Sequence, residues 1–78
     1  MAKKMNLSEL YPGEKGRVLK IIGARNINKK IVDMGVVPGI EVEIEKVAPL
    51  GDPVDVKVKG YHLSLRKEEA EGILVELI

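Results

Sequence analysis

The sequence predicts a mainly β fold, a small five-stranded β-barrel with one short helix and one helical turn, and three observations carry that reading. Residues 40–45 and 54–59 alternate apolar and charged side chains with a period of two, the spacing that sends successive side chains to opposite faces of a strand. Pro and Gly gather between such segments, at Pro12-Gly13, Pro38-Gly39, Pro49 to Pro53 and Gly60, where turn chemistry wants them. The closing segment, Ile73-Leu74-Val75-Glu76-Leu77-Ile78, is nearly all apolar and so belongs inside, paired with the first strand. Five short strands leave edges open unless they curl into a closed or nearly closed barrel, with the helix between strands one and two covering one side.

Along the chain, Leu7 and Leu10 flank a short piece that reaches the turn Tyr11-Pro12-Gly13. The first strand is Lys15 to Ile22, whose Val18, Leu19, Ile21 and Ile22 read as buried on both sides, ended by Gly23. Asn26 is the expected N-cap of a helix over about 27–34, because its side-chain oxygen can accept from free N–H groups at a helix start. Ile27, Ile31 and Met34 recur at i, i+4 and i+7 and face the core, with Lys29 and Asp33 on the opposite side and Lys30 at the flank. Gly35 stands where a left-handed residue ends a helix, and Val36-Val37-Pro38-Gly39 turns into the second strand.

The strands 40–45 and 54–59 form a hairpin across the Ala48-to-Pro53 loop. Their register follows from parity: Ile40, Val42 and Ile44 share a face with Val54, Val56 and Val58 only when paired residue numbers have an even sum, since a slip of one turns every valine outward. Pairing Ile44 with Val56 also sets Glu43 opposite Lys57 and Glu41 opposite Lys59. Tyr61, Leu63 and Leu65 continue the alternation on a fourth strand, with His62, Ser64 and Arg66 on its other side. Lys67 to Glu71 then makes about one helical turn, closed by Gly72.

At 78 residues there is room for one core and too little depth for an enzymatic cleft, so no catalysis is expected. Residues 1–6 are expected to be a flexible tail and 7–78 a single domain. Hydrophobic residues at 45% and charged residues at 32% fit a folded domain, and the absence of Cys excludes disulfides and thiolate metal sites. No apolar run resembles a signal peptide or reaches membrane-spanning length, which points to the cytoplasm. Net charge is +1, yet residues 1–39 carry 8 basic against 3 acidic side chains while residues 40–78 carry 5 against 9, a polarity suited to steering a charged partner.

Chemistry-bearing constellations are sparse. His62 is the only histidine and has no carboxylate at metal-site spacing; Glu68, Glu69 and Glu71 lie on an exposed turn without an apolar pocket and are assigned to solvent. Ser8 and Ser64 have no base nearby in sequence, and the glycines are spaced as turns rather than as a phosphate-binding loop. Neither a cofactor nor a metal site is expected. Lys20, Arg25, Lys29 and Lys30 form a basic group able to contact phosphates, but with Tyr11 and Tyr61 as the only aromatics there is no stacking platform for bases. The other reading is a protein–protein adaptor, whose surface combines Arg25, Lys29 and Lys30 with Val36 and Val37 exposed at the turn.

Three segments, Met34-Gly35-Val36-Val37-Pro38-Gly39, Ala48-Pro49-Leu50-Gly51-Asp52-Pro53 and Gly60-Tyr61-His62-Leu63-Ser64-Leu65-Arg66, in this order and spacing, resemble the FeoA family over essentially 7–78. Ala24, where the family often has a second Gly, and Val36, where it has Leu, are mild departures. The resemblance implies an SH3-like barrel and a small, non-catalytic, cytoplasmic accessory protein of prokaryotic ferrous iron uptake, acting with the membrane transporter FeoB and its cytosolic GTP-binding region. The sequence itself leaves oligomeric state open, including a homo-oligomer in which an unsatisfied edge strand pairs with a second copy. A related domain closes some iron- and manganese-dependent repressors, so a regulatory, transition-metal-binding or nucleic-acid-binding barrel is the alternative; no DNA-binding segment is expected ahead of the barrel here. Metal binding is sometimes attached to the family, but no ligand set carries over onto these residues.

Overall fold

A computed structural model describes residues 3–78, in which six antiparallel strands form one sheet in the order β1-β6-β2-β3-β4-β5. The strands are β1 (Lys4–Asn6), β2 (Lys15–Ile21), β3 (Glu41–Val47), β4 (Val54–Val58), β5 (Tyr61–Leu65) and β6 (Ile73–Leu77); the helices are α1 (Arg25–Asp33) and α2 (Lys67–Glu71). The fold is mainly β with the two expected short helices, and β6 pairs with β2 as its apolar sequence requires.

The expected five strands become six because Lys4–Asn6, assigned to a tail, pair with β6. Residues 1–2 of that tail lie outside the described residues. The physical reason is β6 itself: placed next to β2, it has a second edge whose N–H and C=O groups need partners, and Leu77 N–H donates to Lys3 O at 2.8 Å. Met5 packs against the core from this strand.

The β3–β4 register is the one parity dictates, with Val42 opposite Val58, Glu43 opposite Lys57 and Ile44 opposite Val56. Glu41 does not meet Lys59. Lys59 and Gly60 both have positive φ, 38° and 88°, forming the two-residue turn between β4 and β5, and Glu41 instead bonds Arg17 on β2 at 3.5 Å. Past Ile44 the register shifts, so that Lys46 faces Asp55 and Val47 faces Val54. The extra residue, Glu45, is a bulge that restores an apolar side chain to the core face at Val47.

β2 differs from its expected two-sided burial. Gly16 and Val18 are buried, but Lys15, Arg17 and Lys20 stand in solvent and Ile22 is 47% exposed. A second bulge, at Leu19, shifts the parity so that Ile21 rather than Lys20 lies opposite buried Ile73 and packs against the core, and Ile22 is left outside. Gly16 is needed for proximity: a Cβ there would come within 2.8 Å of the Val75 side chain on β6. The core collects Val18, Val42, Ile44, Val56, Val58, Leu65, Ile73 and Val75 from the sheet, Leu7 and Leu10 from the segment before β2, and Ile31 and Val36 from α1 and the turn after it.

Helix α1 starts earlier than expected. Ala24, with extended backbone (φ −60°, ψ 155°), occupies the N-cap and supplies no side-chain cap; Asn26 lies inside the first turn. The chain has already been redirected by then, because Ile22 N–H donates to Gly72 O at 2.7 Å immediately after β2. At the other end, Gly35 (φ 91°) gives its N–H to Val32 O at 2.9 Å and Val36 gives its N–H to Ile31 O at 3.2 Å. That pair of bonds is the Schellman arrangement, in which the residue after the glycine packs onto the helix's last buried turn.

Candidate partner-binding surface

The Schellman closure decides the fate of the expected contact residues. Val36, taken from sequence as exposed, is fully buried against Ile31, since the 6→1 bond folds it back onto the helix. It is therefore removed from the surface set. Val37, one residue further on, is 40% exposed.

Lys30 is also committed elsewhere. Its Nζ lies 2.6 Å from Glu69 Oε2 on α2, and Glu69 is 4% exposed, not solvated as expected for its turn. Glu69 Oε1 additionally accepts the Arg66 backbone N–H at 2.8 Å. Burial, the largest influence, pushes the Glu69 carboxyl up, but the hydrogen bonds from Lys30 and Arg66 N–H together with their charges outweigh it and hold the group below the usual carboxylate range. The sequence carried a signal for this role: a Glu three residues after a turn's start can accept that residue's N–H, and Asn6–Glu9 (3.1 Å) and Tyr11–Glu14 (2.7 Å) use the same device.

Apart from Lys30, the exposed residues of α1 are Arg25, Asn26, Lys29, Val32 and Asp33, and of these Arg25, Lys29 and Val32 fall at i, i+4 and i+7 on one face, flanked by Asp33, with Val32 46% exposed. Val32 was not anticipated, although its spacing from Arg25 and Lys29 could have placed it. The resulting strip, Arg25-Lys29-Val32 continued by Val37, is cationic at one end and apolar at the other. Its C-terminal end is fixed by Tyr61 on β5, whose hydroxyl donates to Met34 O at 2.9 Å.

Tyr61 can reach that carbonyl only because residue 35 lacks a Cβ, which would collide with the phenol oxygen. Gly35→Ala should cost about 1–2 kcal/mol through its left-handed backbone alone and should expel the hydroxyl. Adding Tyr61→Phe to it should then cost less than Tyr61→Phe costs in the parent. Urea denaturation of the four proteins checks this, and strictly additive losses would mean that the hydroxyl bond survives the alanine.

The outer face of β3–β5 holds the other polar contacts: His62 Nδ1 lies 2.5 Å from Glu45 Oε1, and Ser64 Oγ donates to Asp55 Oδ1. These are pairs. Among the described residues, no group of three or more His, Cys, Asp or Glu side chains could hold a metal ion. The surface depressions are open; one of about 410 Å³ between β2, β3 and β4 is lined by Lys15, Lys57 and Lys59 together with Glu41 and Glu43, so its charges largely cancel. Among the described residues, no helix is long and apolar enough to cross a membrane.

The FeoA domain family matches residues 5–77. A curated Porphyromonas gingivalis protein, an Fe(2+) transport protein A/Fe(2+) transporter FeoB fusion, is 40% identical over 74 residues, which is 95% of this chain but only 9% of the relative's length. The solution structure of a FeoA-like protein from Clostridium acetobutylicum superposes with a TM-score of 0.91 at 45% identity, covering 100% of this chain and 91% of that one. The crystal structure of Stenotrophomonas maltophilia FeoA complexed with zinc, described as a prokaryotic SH3 domain protein, gives a TM-score of 0.79 at 31% identity over 91% of this chain and 88% of that one.

Proposed function

This chain belongs to the FeoA domain family, whose members are associated with ferrous iron transport, and from that premise we propose that it is a non-catalytic cytoplasmic accessory protein that binds the FeoB transporter and modulates it. The observation that carries the reading is the fusion: in the Porphyromonas gingivalis protein a segment similar to this chain is covalently joined to FeoB, which keeps the two at high effective concentration. A member of the family that is not joined to FeoB would have to obtain by affinity what the fusion obtains by linkage.

The contact surface we assign is Arg25, Lys29, Val32 and Val37, and the target is the transporter's cytosolic GTP-binding region. Such a strip suits a partner with an apolar patch bordered by carboxylates, the basic end steering encounter and the valines supplying burial. Modulation follows if the chain binds two states of the transporter unequally, since a ligand shifts an equilibrium only by its differential affinity.

The test is binding of the purified chain to the soluble GTP-binding region, measured beside salt-dependent binding to DNA and RNA. Association with the former, weakened at least tenfold by Arg25→Glu/Lys29→Glu while the melting temperature holds, is the expected result. Both side chains are exposed and neither bonds another described residue, so the double reversal leaves the fold intact. Nucleic-acid binding with a steep salt slope and no transporter binding would overturn the reading in favour of a regulatory barrel.

A further inference from the structure

We propose that β5 is a dimerisation edge: it pairs with β5 of a second copy of this chain, antiparallel about a two-fold axis at Leu63, through the backbone groups of His62 and Ser64.

The ladder β1-β6-β2-β3-β4-β5 has two ends, and they are protected very differently. β1 is three residues long, bears Lys4 and follows Lys3, a short charged edge of the kind that discourages pairing. β5 runs five residues, Tyr-His-Leu-Ser-Leu, with no Lys, Arg, Asp, Glu or Pro and no shift in its register with β4. It lacks the charges, proline and bulge that keep an edge single, and His62 and Ser64 are exposed.

Its free hydrogen-bonding groups can be assigned. In a hairpin closed by the two-residue Lys59-Gly60 turn, Val58 and Tyr61 form the first hydrogen-bonded pair, and alternation then gives Leu63 and Leu65 to β4 while the N–H and C=O of His62 and Ser64 point away from the sheet. The side chains that could fold across that edge are turned back over the protein. His62 is held by Glu45, Ser64 by Asp55 and Tyr61 by Met34 O.

The occupant follows from register. Pairing His62 with Ser64 of the other copy makes two hydrogen bonds, the symmetric pair makes two more, and all five residues of each β5 find a partner. Leu63 then meets its own counterpart and Tyr61 meets Leu65 on the core side, while polar residues meet on the outer side, so parity is kept. A shift of two residues sets His62 against His62 and leaves residues unpaired. Pairing β5 with β1 of another copy would not close and would meet the lysine-bearing edge, whereas self-pairing closes as a dimer. Four bonds and one strand's width of contact place the complex among weak, transient interfaces.

Sedimentation of the chain from roughly 10 μM to roughly 1 mM should show monomer giving way to dimer, the range for an interface this small. Ser64→Pro removes an outward N–H at a position where an edge strand tolerates proline, and it should weaken association at least tenfold with the β-sheet circular dichroism retained. Because the parent has no Cys, Leu63→Cys supplies a single thiol expected to face its own copy; under mild oxidation it should cross-link at least tenfold faster than Lys29→Cys on α1. That second readout decides the matter if the proline variant fails to fold. A monomer at 1 mM, undiminished association of a folded Ser64→Pro chain, or cross-linking at Leu63→Cys no faster than at Lys29→Cys would each overturn the proposal.

Discussion

Val56→Asp is expected to leave the chain unfolded in neutral buffer at 25 °C. Val56 is fully buried, faces Ile44 on β3 and Leu63 on β5, and sits in the middle of the central hairpin. The substitution removes an isopropyl contact from both neighbours and puts a carboxylate among the apolar side chains of the core. Lost burial of about 2 kcal/mol and several more for an unpaired buried charge together reach the whole stability of a domain this size, roughly 4–12 kcal/mol. The alternative for the protein, keeping residue 56 protonated, still leaves an unsatisfied hydroxyl and a smaller, differently shaped side chain. Loss of the β circular dichroism signal and collapse of amide dispersion at pH 7 check the prediction; a cooperative melt near that of the parent would show that the face assignment of β4 is wrong. Val56→Ile, which keeps the face and adds one methylene, should remain folded, with a penalty of about 1–3 kcal/mol for overpacking.

That central hairpin is where the fold was most readable from sequence, because one physical rule, the two-residue period of a strand, governs each position from Ile40 to Ile44 and from Val54 to Val58. Readability failed at Glu45 and Leu19, where a bulge inserts a residue and reverses parity. The break after Ile44, with Lys46 polar and Val47 apolar, is a trace of the first bulge, but a pattern rule that assumes an unbroken strand stops there instead. β1 was missed for a different reason: Lys4-Met5-Asn6 has no pattern of its own, and its strand is imposed by the free edge of β6. The candidate surface was half legible. Exposure of Arg25 and Lys29 follows from helical spacing, whereas the burial of Val36 depends on the bond geometry of a helix end, and the fate of Lys30 depends on a residue 39 positions away.

Lys30 shows why that distinction matters for any test of the surface. Reversing Lys29 and Lys30 together looks, from sequence, like a change to a basic patch alone. In the folded chain it would also take from Glu69 the one cationic side chain that lies within salt-bridge distance among the described residues, so weakened binding would mix a surface effect with a folding defect. Arg25 and Lys29 avoid this confusion, and Lys30 becomes instead a probe of how α1 is fastened to α2.

Lys30→Met isolates that fastening, because it removes the charge while keeping the length of the side chain. Breaking a buried ion pair by deleting one partner is strongly destabilising; here Lys30 is half exposed and water partly replaces it, so the expected loss at pH 7 is about 2 kcal/mol. The size of the loss should depend on pH in a defined direction. In the parent the Glu69 carboxyl is held below its ordinary value, so it contributes stability above the unfolded carboxylate pKa, near 4.3, and that contribution disappears as the pH falls through the lower folded value. In Lys30→Met, burial of Glu69 is no longer outweighed by the ammonium group, and the folded carboxyl takes up a proton more readily than in the parent. Acid therefore relieves the variant while it begins to cost the parent, and the stability difference between them should shrink steadily from pH 7 to pH 4. Urea denaturation at four pH values across that range measures it. A difference that stays constant would mean that Glu69 reaches solvent without Lys30, and that the two helices are joined by apolar packing rather than by this charge.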